Sequence, residues 1–178
     1  MNRESFSFQL TNKYAPDEVI KKALKQIEQA TEGYVIGNIK EYEGPIYSYT
    51  RLTGIAAQLA AIQQEQDNGK ADIQKKLGDL SGKNYRYEVF LTVRGMEYYK
   101  YRMMFVDYGA ISYPVTIVMD ERLAAEYSDK KQDTFHISSM KELEKMLDII
   151  LNSDTMISFI QQLIEEALRQ ENRDNEGV

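Results

Sequence analysis

Residues 85–108 read YRYEVFLTVRGMEYYKYRMMFVDY and decide the fold of this chain. Two runs of alternating side chains flank Gly95, and such alternation is typical of strands with one buried face. The inward residues of both runs have odd numbers, so directly opposed residues must have numbers that sum to an even number. This requires a loop with an odd number of residues, and we predict an antiparallel hairpin with a three-residue loop at Arg94-Gly95-Met96. The predicted inward residues are Tyr85, Tyr87, Val89, Leu91, Val93, Tyr99, Tyr101, Met103 and Phe105.

Helical and strand patterns surround this hairpin. Apolar stripes predict helices over 16–31, 53–66, a shorter segment through Ile73 and Leu77, and two C-terminal segments over 140–151 and 156–168. Short strands are predicted on both sides of Glu43-Gly44-Pro45, and YPVTIVMD (113–120) predicts another after the hairpin. Residues 123–134 are predicted to be a polar loop whose order the sequence leaves open.

The order α-β-β-α-α-β-β-β-α-α predicts an α+β fold. We expect an antiparallel sheet of about four to five strands packed by helices, because short turns between strands disfavour parallel crossovers. Residues 1–170 are predicted to form one domain, and the polar residues 171–178 a frayed tail.

Composition excludes several classes of function. The 178-residue chain has a net charge of −6 and no cysteine, which removes thiolate metal sites and thiol nucleophiles and disfavours nucleic acid as a partner. It carries no P-loop or GxGxxG motif, and no cofactor is predicted. Neither a signal-peptide pattern nor a membrane-spanning run is present, so we expect a cytoplasmic chain without a membrane partner.

Residues suited to catalysis or metal binding are few. The single histidine, His136, lies near Ser138, Ser139 and Asp133, but Ser139 and Glu142 have capping-box spacing, so docking and capping explain this segment better than a triad. Asp120-Glu121 and the pair Glu41 and Glu43 offer oxygen ligands for a metal-assisted hydrolase, an alternative that we keep. No catalytic or metal-binding residue is assigned.

The hairpin 85–108 is the candidate ligand surface. On its second face, basic and aromatic side chains alternate in the way that holds anions or single-stranded nucleic acid. These residues are Arg86, Phe90, Tyr98, Lys100 and Arg102. The competing interpretation is an ordinary strand pair in which tyrosine fills the core.

The first functional hypothesis is a non-enzymatic protein that binds another protein or itself as a homodimer. Apolar stripes in the two C-terminal helices, Met140–Leu151 and Met156–Leu168, are its positive support. The alternative is a small-molecule or single-stranded nucleic-acid binder using the hairpin. The stripes support the first hypothesis only if they lie at the surface.

Overall fold

A computed structural model describes residues 10–48 and 84–176 of the chain. The helices predicted over 53–66 and through Ile73 and Leu77 lie outside the described residues. The described elements are α1 (Pro16–Ala30), β1 (Val35–Glu41), β2 (Tyr85–Val93), β3 (Met96–Tyr108), β4 (Val115–Met119), α2 (Glu121–Tyr127), β5 (Thr134–Ile137), α3 (Met140–Leu151) and α4 (Asp154–Glu176).

The five strands form one antiparallel sheet in the order β1-β2-β3-β4-β5. Each strand pairs with its neighbour in sequence order, so the sheet is a meander. The predicted α+β class, with an antiparallel sheet packed by helices, is confirmed. Residues 45–48 are not in a strand. The segment predicted as a polar loop, 123–134, instead contains most of helix α2 and reaches the first residue of strand β5.

Helices α1, α3 and α4 cover one face of the sheet. Helix α1 packs on β1, α3 contacts α1, α2 and β5, and α4 contacts α2, β1 and β2. The apolar side chains that join sheet to helices form one cluster, with Leu91, Ile117, Leu143 and Met156 essentially inaccessible to solvent. The α1 stripe predicted from sequence supplies Val19, Ile20, Leu24 and Ile27 to this core.

The hairpin register differs from the predicted one. Val93 pairs with Met96 across a two-residue turn, Arg94-Gly95, where Gly95 has φ +80°. Register shifts along β3 then add residues to that strand, and past them its inward residues are even-numbered. The predicted three-residue loop and the inward position of Phe105 are therefore wrong: Phe105 pairs with Glu88 on the opposite face.

A bulge near Met103 is the physical reason that Phe105 lies on the opposite face. Arg102 pairs with Phe90, and Met104 pairs with Val89, so Met103 has no partner in β2. Its carbonyl accepts a hydrogen bond of 2.8 Å from the backbone N–H of Asp120, at the end of β4. This bond continues the ladder between β3 and β4, in which Met104 pairs with Met119, so the extra residue stays bound to β4. Past the extra residue, the side chains of β3 change face.

Candidate functional site

The candidate ligand residues lie on the face of the sheet turned away from α1 and α4. We call it the second face. It carries Arg86, Glu88, Phe90 and Thr92 of β2 and Tyr98, Lys100, Arg102, Phe105 and Asp107 of β3. Arg86 pairs with Asp107 through two nitrogens at 3.0 and 3.1 Å and donates to the Gly44 carbonyl at 3.3 Å. This guanidinium is therefore used to hold β2 to β3 and to the chain leaving β1.

A second group is centred on Glu88, which is 8% exposed. Its carboxylate pairs with Lys100 and, at 3.0 Å, with Arg102. Burial opposes the charge of Glu88, but the hydrogen bonds and charges of Lys100 and Arg102 outweigh it and hold the pKa of Glu88 below its ordinary value. Phe90, 5% exposed, lies beneath the Lys100 ammonium, 4.1 Å from the ring centroid.

The aromatic rings of the second face are largely engaged by the chain itself. The guanidinium of Arg102 lies 4.8 Å from the Phe105 ring centroid, and the Tyr42 ring contacts Phe105 at 4.7 Å. Tyr98 differs because its side chain is fully exposed near the turn. A ligand stacking on Phe90 or Phe105 would have to displace a cation, so the ligand-binding role of these residues stays a prediction.

The tyrosines on the helix-covered face fill the core and place their hydroxyls at polar groups. Tyr85 and Tyr87 both stack on Tyr108, whose hydroxyl donates to Asp17 of α1 at 2.8 Å. Burial and the Asp17 carboxylate raise the pKa of Tyr108. Burial, with the nearby Glu144 carboxylate, raises the pKa of Tyr113 to about 12. On this face the hairpin is therefore an ordinary strand pair in which tyrosine fills the core, the competing interpretation of the sequence.

The residues near His136 serve local structure. The exposed His136 lies on β5 with Nδ1 at 3.2 Å from the Thr116 hydroxyl of β4. Ser139 caps α3 by accepting from the N–H of Glu142, as its spacing predicts. Asp133 is buried and accepts a 3.0 Å hydrogen bond from Thr134. These contacts orient a strand end and a helix start, and they do not assemble a triad.

Carboxylates in the described ranges do not gather into a metal centre. Within residues 10–48 and 84–176, no three His, Asp or Glu side chains are placed to hold a metal ion. Asp120, one of the predicted ligands, instead caps α2 by accepting from the N–H of Arg122 at 3.0 Å. The alternative of a metal-assisted hydrolase gains no geometric support from this part of the chain.

The two C-terminal stripes divide between core and surface. In α3, Leu143, Leu147 and Ile150 are buried, so this stripe belongs to the core. In α4, Met156 and Leu163 are also buried. A flanking row on α4 is more open: Ile157 is 46% exposed, Leu168 is 42% exposed, and Ile160 and Ile164 are partly buried between them. We call these four residues the outward stripe.

A cleft opens on the other side of α4, between that helix, α2 and β3. It has a volume of about 410 Å³ and is lined in part by Tyr101, Arg122, Asp154, Phe159 and Gln162. The sequence does not predict this cleft, because the predicted polar loop over 123–134 leaves no helix beside α4. The signal was present in DERLAAEY (120–127), an N-capping aspartate followed by Leu123 and Tyr127, which are four residues apart and therefore share one helix face.

Fold and surfaces together define the chain as an α+β protein with a helix-covered meander, a charge-paired second face and a cleft beside α4. No helix in the described part of the chain is long and apolar enough to cross a membrane. Comparison with protein-family models, with curated proteins and with solved structures finds no match for this chain.

Proposed function

We propose that this chain is a non-enzymatic interaction protein that contacts its partner through the outward stripe of α4. The observation that carries the proposal is the exposure of two large aliphatic side chains, Ile157 at 46% and Leu168 at 42%, on one helix. With Ile160 and Ile164 between them, they form a continuous apolar row about 17 Å long at 1.5 Å per residue. Contiguous apolar surface of this kind is typical of protein contact sites.

A second copy of the chain is the partner that fits this surface best. The stripe has nearly the same spacing in both directions about its midpoint, so an antiparallel α4–α4 contact places Ile160 opposite Ile164 and Ile157 beside Leu168. Next to that midpoint, the exposed residue on this side of the helix is Gln161, which is uncharged, so the symmetric contact brings no like charges together there. The proposal is therefore a homodimer formed through α4.

Native mass spectrometry and light scattering at micromolar concentration test the proposal. We expect a dimer that becomes monomeric when Ile157→Ser and Leu168→Ser are combined, since both side chains leave water only in the contact. Ile111→Ser is the matched control, because Ile111 is 75% exposed in the β3–β4 connection and should leave the dimer intact. A wild-type monomer up to about 100 μM, well above typical affinities of specific complexes, would reject self-association.

Two further proposals accompany the homodimer: that the chain is cytoplasmic, and, as an alternative function, that the hairpin 85–108 binds a ligand. Absence of cysteine supports a cytoplasmic setting, where disulfides are rare. The fully exposed Tyr98 supports a residual ligand role for the hairpin. If the hairpin binds a nucleic acid or an anionic small molecule, replacing both Arg86 and Arg102 by Ala should abolish binding, and unchanged affinity would count against that role.

A further inference from the structure

The cleft beside α4 combines an aromatic floor with charges of both signs. Tyr101 of β3 and Phe159 of α4 contact each other with ring centroids 4.4 Å apart and ring planes at 57°. Buried Leu123 and Met156 complete the apolar part of the lining. The volume of about 410 Å³ falls within the range of small-molecule sites, about 300–1,000 Å³.

Arg122 supplies the positive charge in this cleft. Its guanidinium lies 5.7 Å from the ring centroids of both Tyr101 and Phe159, so the two rings help to orient it. Its contact with Asp120 is 3.6 Å, longer than a hydrogen bond, and its side chain is 63% exposed. Donors of the planar fork therefore remain able to bind a carboxylate in the two-bond geometry that arginine favours.

Asp154 supplies the negative charge, at the first residue of α4. Within residues 10–48 and 84–176, its carboxylate has no hydrogen-bond or ion-pair partner, whereas the nearby Glu126 carboxylate accepts from the Thr155 hydroxyl. A simple anion in the cleft would meet Asp154, and a simple cation would meet Arg122. The lining therefore favours a ligand that carries both charges together with an apolar group.

We propose that this cleft binds a free α-amino acid with an aromatic or large apolar side chain. The ligand carboxylate pairs with Arg122, its ammonium group pairs with Asp154, and its side chain lies on Tyr101 and Phe159. Gln162, at the edge of the cleft, offers an amide that can donate to or accept from the ligand. This inference does not depend on the α4–α4 contact, which uses the opposite side of the helix.

Calorimetry and thermal unfolding of the 178-residue chain with L-phenylalanine and two analogues test the site. Phenethylamine lacks the carboxylate and 3-phenylpropionate lacks the ammonium group. We expect phenylalanine to raise Tm and to give a binding heat, and both analogues to bind at least about tenfold more weakly, because each leaves one charged partner unpaired. Equal binding of either analogue, or no binding of any amino acid in a panel of the apolar and aromatic ones, would overturn the proposal.

Variants locate the binding. Arg122→Gln and Asp154→Asn should each weaken phenylalanine binding by at least about tenfold while Tm without ligand changes little. Arg169→Gln is the matched control, because the Arg169 side chain on α4 is 57% exposed, close to the 63% of Arg122, and pairs with Glu166 outside the cleft. If phenylalanine binds the wild type and the Arg122 and Asp154 variants alike, the ligand lies elsewhere and the proposed site is wrong.

Discussion

Glu88 lies on the second face with its carboxylate between two cations, Lys100 and Arg102. The side chains of Lys100 and Arg102 are 39% and 45% exposed, so water screens their charges and the net energy of the cluster is modest. The main role of the cluster is to fix the relative position of two strands, because it holds β2 against the part of β3 that follows the turn. The same contacts leave fewer free cations on this face for an anionic ligand.

Glu88→Gln tests this role through pH. A carboxyl group whose pKa is lowered in the folded state stabilises the protein above its unfolded pKa, and this contribution is lost as pH falls through the folded pKa. At neutral pH we expect the variant to be less stable by about 1 kcal/mol, because the ionic contacts of Glu88 are lost but water screens its partly exposed partners Lys100 and Arg102. Between about pH 5 and pH 3 the difference from wild type should shrink.

Urea unfolding of both chains across this pH range measures the effect. Glu97→Gln is the control, since Glu97 is exposed on the adjacent strand β3 and has no ion pair within the described residues. A stability difference for Glu88→Gln that stays constant with pH would show that side-chain packing, rather than the carboxylate charge, is responsible.

Helix α1 and strand β1 approach each other at Gly37. A Cβ atom built on Gly37 would lie 2.7 Å from the Cβ and a Cδ of Leu24, closer than real side chains come. Since one of those atoms is next to the α1 backbone, the contact cannot be relieved by rotating a flexible side-chain end. The close approach buries Leu24 and Val35 in the core, and Thr31 fixes the turn between the elements by accepting from the Val35 N–H.

Gly37→Ala should therefore destabilise the protein although alanine suits a strand at least as well as glycine does. We expect a loss of about 1–3 kcal/mol, the usual cost of overpacking, measured by chemical denaturation. Gly109→Ala is the matched control: its added Cβ would meet only the Asn84 side chain at 3.9 Å, so stability should change by less than about 0.5 kcal/mol. Equal effects of the two substitutions would mean that α1 moves away from β1 at little cost.

The described part of the molecule has a single core that runs from the sheet into all four helices. Leu143 and Met146 of α3 lie in this cluster beside Ile117 of β4, and all three are essentially inaccessible to solvent. A continuous core of this kind couples the helices to the sheet, because neither layer can lose its packing without exposing apolar surface of the other. We therefore expect the helices and the sheet to unfold together.

Leu143→Ala tests this coupling. The cavity left in the core should cost about 2–5 kcal/mol. Helical circular dichroism and the near-ultraviolet signal of the tyrosines on the sheet should lose intensity in one coincident transition, at a lower temperature than in wild type. Leu10→Ala, at a side chain that is 80% exposed, should leave both transitions unchanged. Separate helix and tyrosine transitions would contradict a single core.

Much of the fold could be predicted from the periodicity of apolar side chains in the sequence. Period-two alternation placed β2 and the first part of β3, and apolar spacing placed α1, α3 and α4. Helix α2 and strand β5 were not predicted because they are short and lie in a polar segment, where the periodicity of apolar side chains is weak. Residues 171–176, expected to fray, continue α4, and Glu171 there contacts Arg94 at 3.8 Å and Tyr34 at 3.5 Å. These contacts join residues that are far apart in the sequence, so no local sequence pattern predicts them.

The sequence by itself determined the α+β class, the antiparallel pairing of β2 with β3 and the identity of most core residues, because these follow from the local period of apolar side chains. Only the tertiary structure decided which face each residue beyond Met103 occupies, since one bulge reverses the alternation that the sequence preserves. It also decided which charges pair with each other and brought Arg122, Tyr101 and Asp154 together from three elements. Such contacts depend on how the elements pack across the molecule, and local periodicity does not encode that.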